Sequence, residues 1–164
     1  MKLISGGQTG ADRGALDFAI CYGLAHGGYC PAGRRAEDGE IPACYHLVEL
    51  KSASYRARTQ QNVVAADATV VFRKPDVRSP GSDLTVRLCA KHRKPCLVLP
   101  CQDAAADAAE LAAWLDRLAP EVLNVAGHRE SSCPGITDYV YNTLALALKA
   151  SKWLAGRAAV GVSE

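Results

Sequence analysis

Three glycine-bearing segments carry the residue types that hold an anion. In the first, Leu3-Ile4 runs into Ser5-Gly6-Gly7-Gln8-Thr9-Gly10 and then Ala11-Asp12-Arg13, which reads as a short buried strand, a glycine loop and a helix start. Gly6, Gly7 and Gly10 have no Cβ, so a ligand oxygen can approach the amide hydrogens directly. The whole stretch, Gln8 and Thr9 included, is the first candidate binding segment. Where such a loop opens a helix, unpaired N–H groups and the positive end of the dipole favour a phosphate or carboxylate. Thr9 and Asp12, three residues apart, predict a capping box at that point. An ordinary strand-to-helix turn is the competing reading, because a glycine motif alone is weak evidence.

Pro80-Gly81-Ser82-Asp83-Leu84-Thr85 is a second helix entry, and Gly127-His128-Arg129-Glu130-Ser131-Ser132-Cys133-Pro134-Gly135 a third. Gly81, Ser82, Thr85, Gly127, Ser131 and Ser132 offer amides and hydroxyls, and Arg129 adds a planar fork suited to a phosphate. Arg34 and Arg35 either close over the ligand or stand solvated, and Arg13 faces either ligand or solvent. The first loop lacks the Gly-Lys-Ser/Thr ending of a Walker A motif, which argues against nucleotide hydrolysis by that mechanism. No strict Gly-x-Gly-x-x-Gly is present, and no acidic residue follows the second strand to hold a ribose, which weakens a dinucleotide reading. A ligand with several anionic groups fits these loops best.

The elements that position the loops follow from periodicity. A helix is predicted from about Thr9 to Tyr22, with Leu16 and Ile20 one turn apart. A second strand is expected at His26 to Tyr29, and a long polar segment extends from Cys30 to about Ser54. Helix from Tyr55 to Ala66, strand Ala68 to Phe72, helix Ser82 to His92 and strand Cys96 to Leu99 follow. The last elements are helix Ala104 to Leu118, strand Val122 to Ala126, and a helix from near Pro134 to Trp153 in which Ile136, Val140, Leu144 and Leu148 recur every four residues. Five short apolar strands alternating with helices predict a Rossmann-like three-layer α/β/α domain with a mostly parallel sheet. Connections from helix to strand are terse and those leaving strands are elaborate. In a parallel sheet the elaborate ones meet at the carboxyl edge, where open α/β folds bind ligands.

Bulk properties narrow the classes. A chain of 164 residues suits one domain, expected over 1–155 with a loose tail at 156–164. A formal charge of +2 with no long basic run argues against nucleic acid as partner. No apolar run is long enough to cross a bilayer, so no membrane is expected, and the absence of a signal-peptide pattern predicts a cytoplasmic location. The seven cysteines are odd in number and scattered, which predicts reduced thiols. Cys30, Cys44 and His46 form no Cys-x-x-Cys pattern, and no metal site is expected.

Taken together, SGGQTGADR at Ser5 to Arg13, HGGYCPAGRRAEDG at His26 to Gly39, Arg58 to Asn62 with Asp67-Ala68-Thr69, and LNVAGHRESSCPGI at Leu123 to Ile136 resemble the "putative molybdenum carrier" family. That family is the circularly permuted branch of the SLOG superfamily, related to LOG and lysine-decarboxylase-like proteins, and the likeness runs from about Lys2 to Trp153. It implies a Rossmann-like domain, often a homo-oligomer, that binds an anionic small molecule: a nucleotide, or a phosphorylated pterin such as molybdenum cofactor. The alternative it carries is hydrolysis of a nucleotide N-glycoside or phosphate bond. LOG-type relatives use a Pro-Gly-Gly-x-Gly-Thr-x-x-Glu segment for this, and here Leu88 stands where the glutamate would be. Asp12, Asp38 or Asp83 are the remaining carboxylates for that role.

Overall fold

Every strand of the main sheet runs the same way, because each is followed by a helix that carries the chain back to the starting edge. The computed structural model describes residues 1–152. Strands β1 (Lys2–Ile4), β2 (Ala25–Gly27), β3 (Ala68–Phe72), β4 (Cys96–Leu99) and β5 (Val122–Gly127) pair in the order β2-β1-β5-β3-β4, all parallel. The sheet expected to be mostly parallel is therefore wholly so. Helices α1 (Ala11–Cys21), α4 (Ala104–Leu118) and α5 (Ile136–Ala150) cover one face, with α5 packed against both of the others. Helices α2 (Tyr55–Ala65) and α3 (Pro80–Lys91) pack together on the other. The tail anticipated at 156–164, the domain end at 155 and Trp153 lie outside the described residues.

The main core forms where Leu3, Val70, Phe72, Leu123 and Val125 meet Phe18, Leu111, Leu115, Ile136, Val140 and Leu144, all fully or nearly fully buried. The four-residue repeat on α5 is thus its buried stripe. On α1 the stripe differs from the expected one. Leu16 is buried, but against Cys30, Ile41 and Tyr45 of the long segment, while Ile20 is exposed. The helix instead turns Ala11, Ala15, Phe18 and Ala19 to the sheet.

Two local expectations need correction. The second strand ends at Gly27, and Tyr29–Cys30 leaves the sheet to pair in parallel with Val48–Glu49. No side chain caps α1, whose N-cap is Gly10 at φ 85°. The Ala11 amide there donates to the His128 carbonyl at 3.0 Å, and a Cβ on Gly10 would come within 2.3 Å of that oxygen. The close approach of two backbones requires glycine at this position.

Chain direction diverges in the middle of the sheet. From β1 the chain moves outward to β2 over the α1 face, and from β3 it moves outward to β4 over the α3 face. Strand β5 lies between β1 and β3, so the loops after these strands part around a crevice at their carboxyl ends.

Candidate functional site

That crevice is a cleft of about 460 Å³. Its wall takes Gly6, Gln8, Thr9 and Asp12 from the β1–α1 connection, Asn124 to Gly127 from β5, and Arg129, Ser131 and Ser132 beyond β5. The opposite wall takes Tyr55, Arg56, Arg58, Thr59 and Asn62 from α2, and Arg78 to Gly81, Leu84 and Thr85 around the start of α3. Three separate glycine segments therefore converge, as their place after parallel strands required.

Charge in the cleft is one-sided. Arg56, Arg58, Arg78 and Arg129 line it against a single carboxylate, Asp12. That carboxylate is already committed: its Oδ2 accepts from Arg58 Nη1 at 2.8 Å and from the Gln8 amide at 3.2 Å, with side chains 7% and 13% exposed for Asp12 and Arg58. The Arg58 guanidinium lies across Gly6, whose position would place a Cβ within 1.6 Å of Nη1. Glycine at position 6 is thus the seat for an arginine as well as part of a loop. The Tyr55 ring lies under both cations, 5.1 Å from Arg129 and 6.0 Å from Arg58, a cation–π geometry that draws the two walls together.

Two buried donors in this lining have no partner. Gln8 is 4% exposed, and its Oε1 accepts from the amides of Thr9 at 3.0 Å and Glu37 at 2.9 Å. Because both neighbours are donors, the side-chain oxygen faces them, and Nε2 is left buried with no acceptor. Arg58 Nε is in the same state. A buried donor left unpaired costs stability, and an acceptor supplied by a ligand removes that cost.

Several backbone amides beside the loop glycines are spent inside the protein, which narrows the amide cradle to the glycines' own N–H groups. Gln8 N serves Asp12, Thr9 N serves its neighbour's side chain, and Ala11 N serves His128. At α5 the Glu130 carboxylate accepts from Gly135 N, Thr137 N and Thr137 Oγ1, filling the helix end with the chain's own anion. The side-chain donors lining the cleft are guanidinium groups, hydroxyls and the amides of Gln8, Asn62 and Asn124, of which Asn62 and Asn124 are bonded to Tyr29 and Thr69.

Of the candidate residues, Gly6, Gln8, Thr9, Gly81, Thr85, Gly127, Arg129, Ser131 and Ser132 lie on the cleft wall. Gly7, Gly10, Arg13, Arg34, Arg35 and Ser82 do not. Gly7 backs onto Leu47 and Ile41, and Ser82 is buried with its hydroxyl on Ser79 at 2.7 Å. Arg34 organises the long segment instead: its guanidinium donates to the carbonyls of Ile41, Pro42, Tyr45 and Leu47. Arg35 is exposed on a two-residue hairpin pairing Arg35–Ala36 with Gly39–Glu40. Arg13 pairs with Asp38 beside a second cavity of about 480 Å³, whose acidic members Asp17, Glu37, Asp38 and Glu130 are engaged by Tyr45, Ser131, Arg13 and Thr137. His128 is buried, and its Nε2 accepts from the Lys74 amide at 2.9 Å. Burial, with the nearby Arg73 and Lys74 charges, holds the imidazole below its ordinary pKa, and as a neutral ring accepting the Lys74 amide it ties the β3–α3 connection to β5.

The α2 residues Tyr55, Arg56, Arg58 and Asn62 escaped assignment as site residues, although their positions one and three to four apart after Ser54 were the available signal. Residues 3–148 match the model of the circularly permutated YpsA SLOG family. The chain belongs to that family. The fold is similar to the crystal structure of a "Putative molybdenum carrier protein" from Syntrophus aciditrophicus SB, at 38% sequence identity and a TM-score of 0.86. The match covers 90% of this chain and 94% of that one. Among curated proteins no sequence matches. For this SLOG protein, the resemblance segments Ser5 to Arg13, Leu123 to Ile136 and, on α2, Arg58 to Asn62 supply residues of the cleft wall, whereas His26 to Gly39 supplies none.

Proposed function

We propose that the cleft is a binding site for a phosphorylated nucleotide or phosphorylated pterin, and that the protein acts by holding such a ligand. The observation that carries this is the set of four arginines on the wall, of which Arg58 is matched by Asp12 and Arg129 faces Glu37 at the rim, while Arg56 and Arg78 have no carboxylate of the lining beside them to match. A ligand with two or more negative charges completes that balance, each charge-assisted hydrogen bond contributing about 1.5–3 kcal/mol. The volume of about 460 Å³ is in the range of small-molecule sites. The edge of Tyr55 and the apolar Leu84 and Val125 offer a planar ring a place beside the cations. The similar solved structure bears the name of a molybdenum carrier, which supports a pterin in this class. Among the described residues no group of three or more His, Cys, Asp or Glu is placed to hold a metal ion, so the reading concerns the organic ligand and its phosphate.

Hydrolysis is the less favoured reading, because Leu88 is buried against Val63 and Cys89, away from the cleft, and Asp12 is locked by Arg58. Asp38 and Asp83, the other carboxylates considered for that role, pair with Arg13 and Arg73 outside the cleft wall. Isothermal titration against nucleoside monophosphates, ADP-ribose-type compounds and a phosphorylated pterin should give saturable binding to one of them. Gly81→Leu should abolish it without harming the fold, since a Cβ at Gly81 meets nothing within 4 Å and the position lines the cleft. Silence across the panel, or equal affinity in that variant, removes the proposal. Chromatography of the same mixtures reads turnover directly, and a released base would favour the hydrolase.

A further inference from the structure

Where the cleft meets the second cavity, a carboxylate of the chain itself sits in a ring of donors. Glu37 Oε1 accepts from the Thr9 hydroxyl and from the Ser131 amide at 3.3 Å. Its Oε2 accepts from the Ser131 hydroxyl at 2.6 Å and lies 3.8 Å from Arg129 Nη1. The Thr9 oxygen receives the Glu130 amide at 3.4 Å, so its own proton is committed to whatever occupies the ring. Four donors and no acceptor surround the position, and Thr9, Arg129 and Ser131 all belong to the cleft wall.

The arm that brings Glu37 there is lightly held. Glu37 and Asp38 form the tip of the Arg35–Ala36/Gly39–Glu40 hairpin, and residues 37–40 are exposed and contribute nothing to the core. Besides the donor ring, the tip is fastened by the Glu37 amide on Gln8 Oε1 and by Asp38 on Arg13, where the Asp38 side chain is 48% exposed. Asp38 is half open to water, which weakens its side of that pair. Gln8 supplies the independent sign of a ligand, because it anchors the tip with its oxygen while its buried Nε2 has no acceptor.

We infer that Thr9, Ser131 and Arg129 form an oxyanion subsite for the ligand's phosphate, that Glu37 is its resident stand-in, and that binding displaces Glu37 and lifts the hairpin tip. A tetrahedral phosphate offers more oxygens and more charge to four donors than a planar carboxylate with two oxygens. The inference deepens the proposed binding function and rests on the cleft being the ligand site. It adds a cost to binding, because the competent state is only the fraction with Glu37 released.

Inorganic phosphate titrated calorimetrically into the full chain tests it. Glu37→Gln keeps the side chain's shape and removes its charge, so phosphate affinity should rise about tenfold if the latch is closed nine-tenths of the time. Ser131→Ala and Arg129→Ala should lower that affinity. Unchanged or weaker phosphate binding in Glu37→Gln, with a native circular dichroism melt, overturns the inference. Tryptic cleavage after Arg35 in the unaltered protein provides a second readout that needs no variant: saturating phosphate should accelerate it, and unchanged or slower cleavage counts against displacement. If nucleotides and pterins fail to bind while phosphate binds more tightly to Glu37→Gln, the subsite stands and the ligand assignment falls. If nucleotides bind and the variant shows no gain, the reverse holds.

Discussion

Arg58 and Gly6 depend on each other. The guanidinium lies over the glycine and neutralises Asp12, and both charged side chains are largely shielded from water. Removing one partner of a buried pair leaves the other uncompensated, so Arg58→Ala should cost about 3–5 kcal/mol, read from urea denaturation midpoints. Gly6→Ala should reproduce part of that loss through steric displacement of Nη1, and a wild-type midpoint in both would show the pair to be inert. The carboxyls at the hairpin tip give a pH signature. Partial burial opposes ionisation of Glu37, but the Ser131 and Thr9 hydroxyls, the Ser131 amide and Arg129 outweigh it and hold the group below the usual carboxylate range. Asp38 is lowered chiefly by its bond to Arg13, against a smaller effect of burial. Depressed folded values mean stability that is full above about pH 4.5, where the unfolded groups are ionised, and that is lost as pH falls through the lower folded values. Melting temperature should therefore fall as pH drops below about 4.5, and Glu37→Gln should flatten that slope.

The long segment between β2 and α2 is an element in its own right, although it contains only paired dipeptides and a short 3-10 turn at Ala32–Arg34. Besides the packing of Cys30, Ile41 and Tyr45 on Leu16, its order comes from Arg34, itself at φ 47°, which gathers four carbonyls that have no sheet to join. Five N–H donors in a rigid fork suit that task and a lysine ammonium does not. Arg34→Lys should raise hydrogen exchange across residues 41–47 while leaving the amides of β3 and β5 protected. Uniform exchange rates across both regions would show the segment to be held by other contacts. The segment also explains why its arginines were plausible ligand groups in the sequence: a polar, glycine-rich connection of that length is usually functional. On the inference drawn above it acts through Glu37 at the tip, while Arg34 is consumed in building the loop.

For the molecule as a whole, the sheet order decides which loops meet. β5 is inserted between β1 and β3, so the last strand in the chain carries Arg129 and Ser131 to the first loop's Thr9. No helix among the described residues is long and apolar enough to cross a membrane. All seven cysteines are free, as their scatter suggested, and their environments differ sharply. Cys21 and Cys44 are exposed, whereas Cys30, Cys89, Cys101 and Cys133 are buried, and burial pushes the Cys101 thiol up to about 12. An aromatic disulfide reagent should thus titrate Cys21 and Cys44 rapidly in native protein and those four only after denaturation. Rapid reaction of all seven would contradict the packing.

The alternation of apolar strands and helices was enough to establish the α/β class, the parallel sheet and the edge where the elaborate loops gather. Those features are local, since period and turn chemistry are written in neighbouring residues. The family segments marked the same edge. What the linear chain left open was the partner of each polar group, because partners lie far apart: Asp12 and Arg58 are 46 residues from each other, and Glu37 and Ser131 are 94. Only the folded arrangement brought α2 across the sheet to supply the cationic wall. It also spent the amides of Gln8, Thr9 and Ala11 on the chain's own carbonyl and side-chain oxygens, because buried backbone groups take the nearest partner that folding provides.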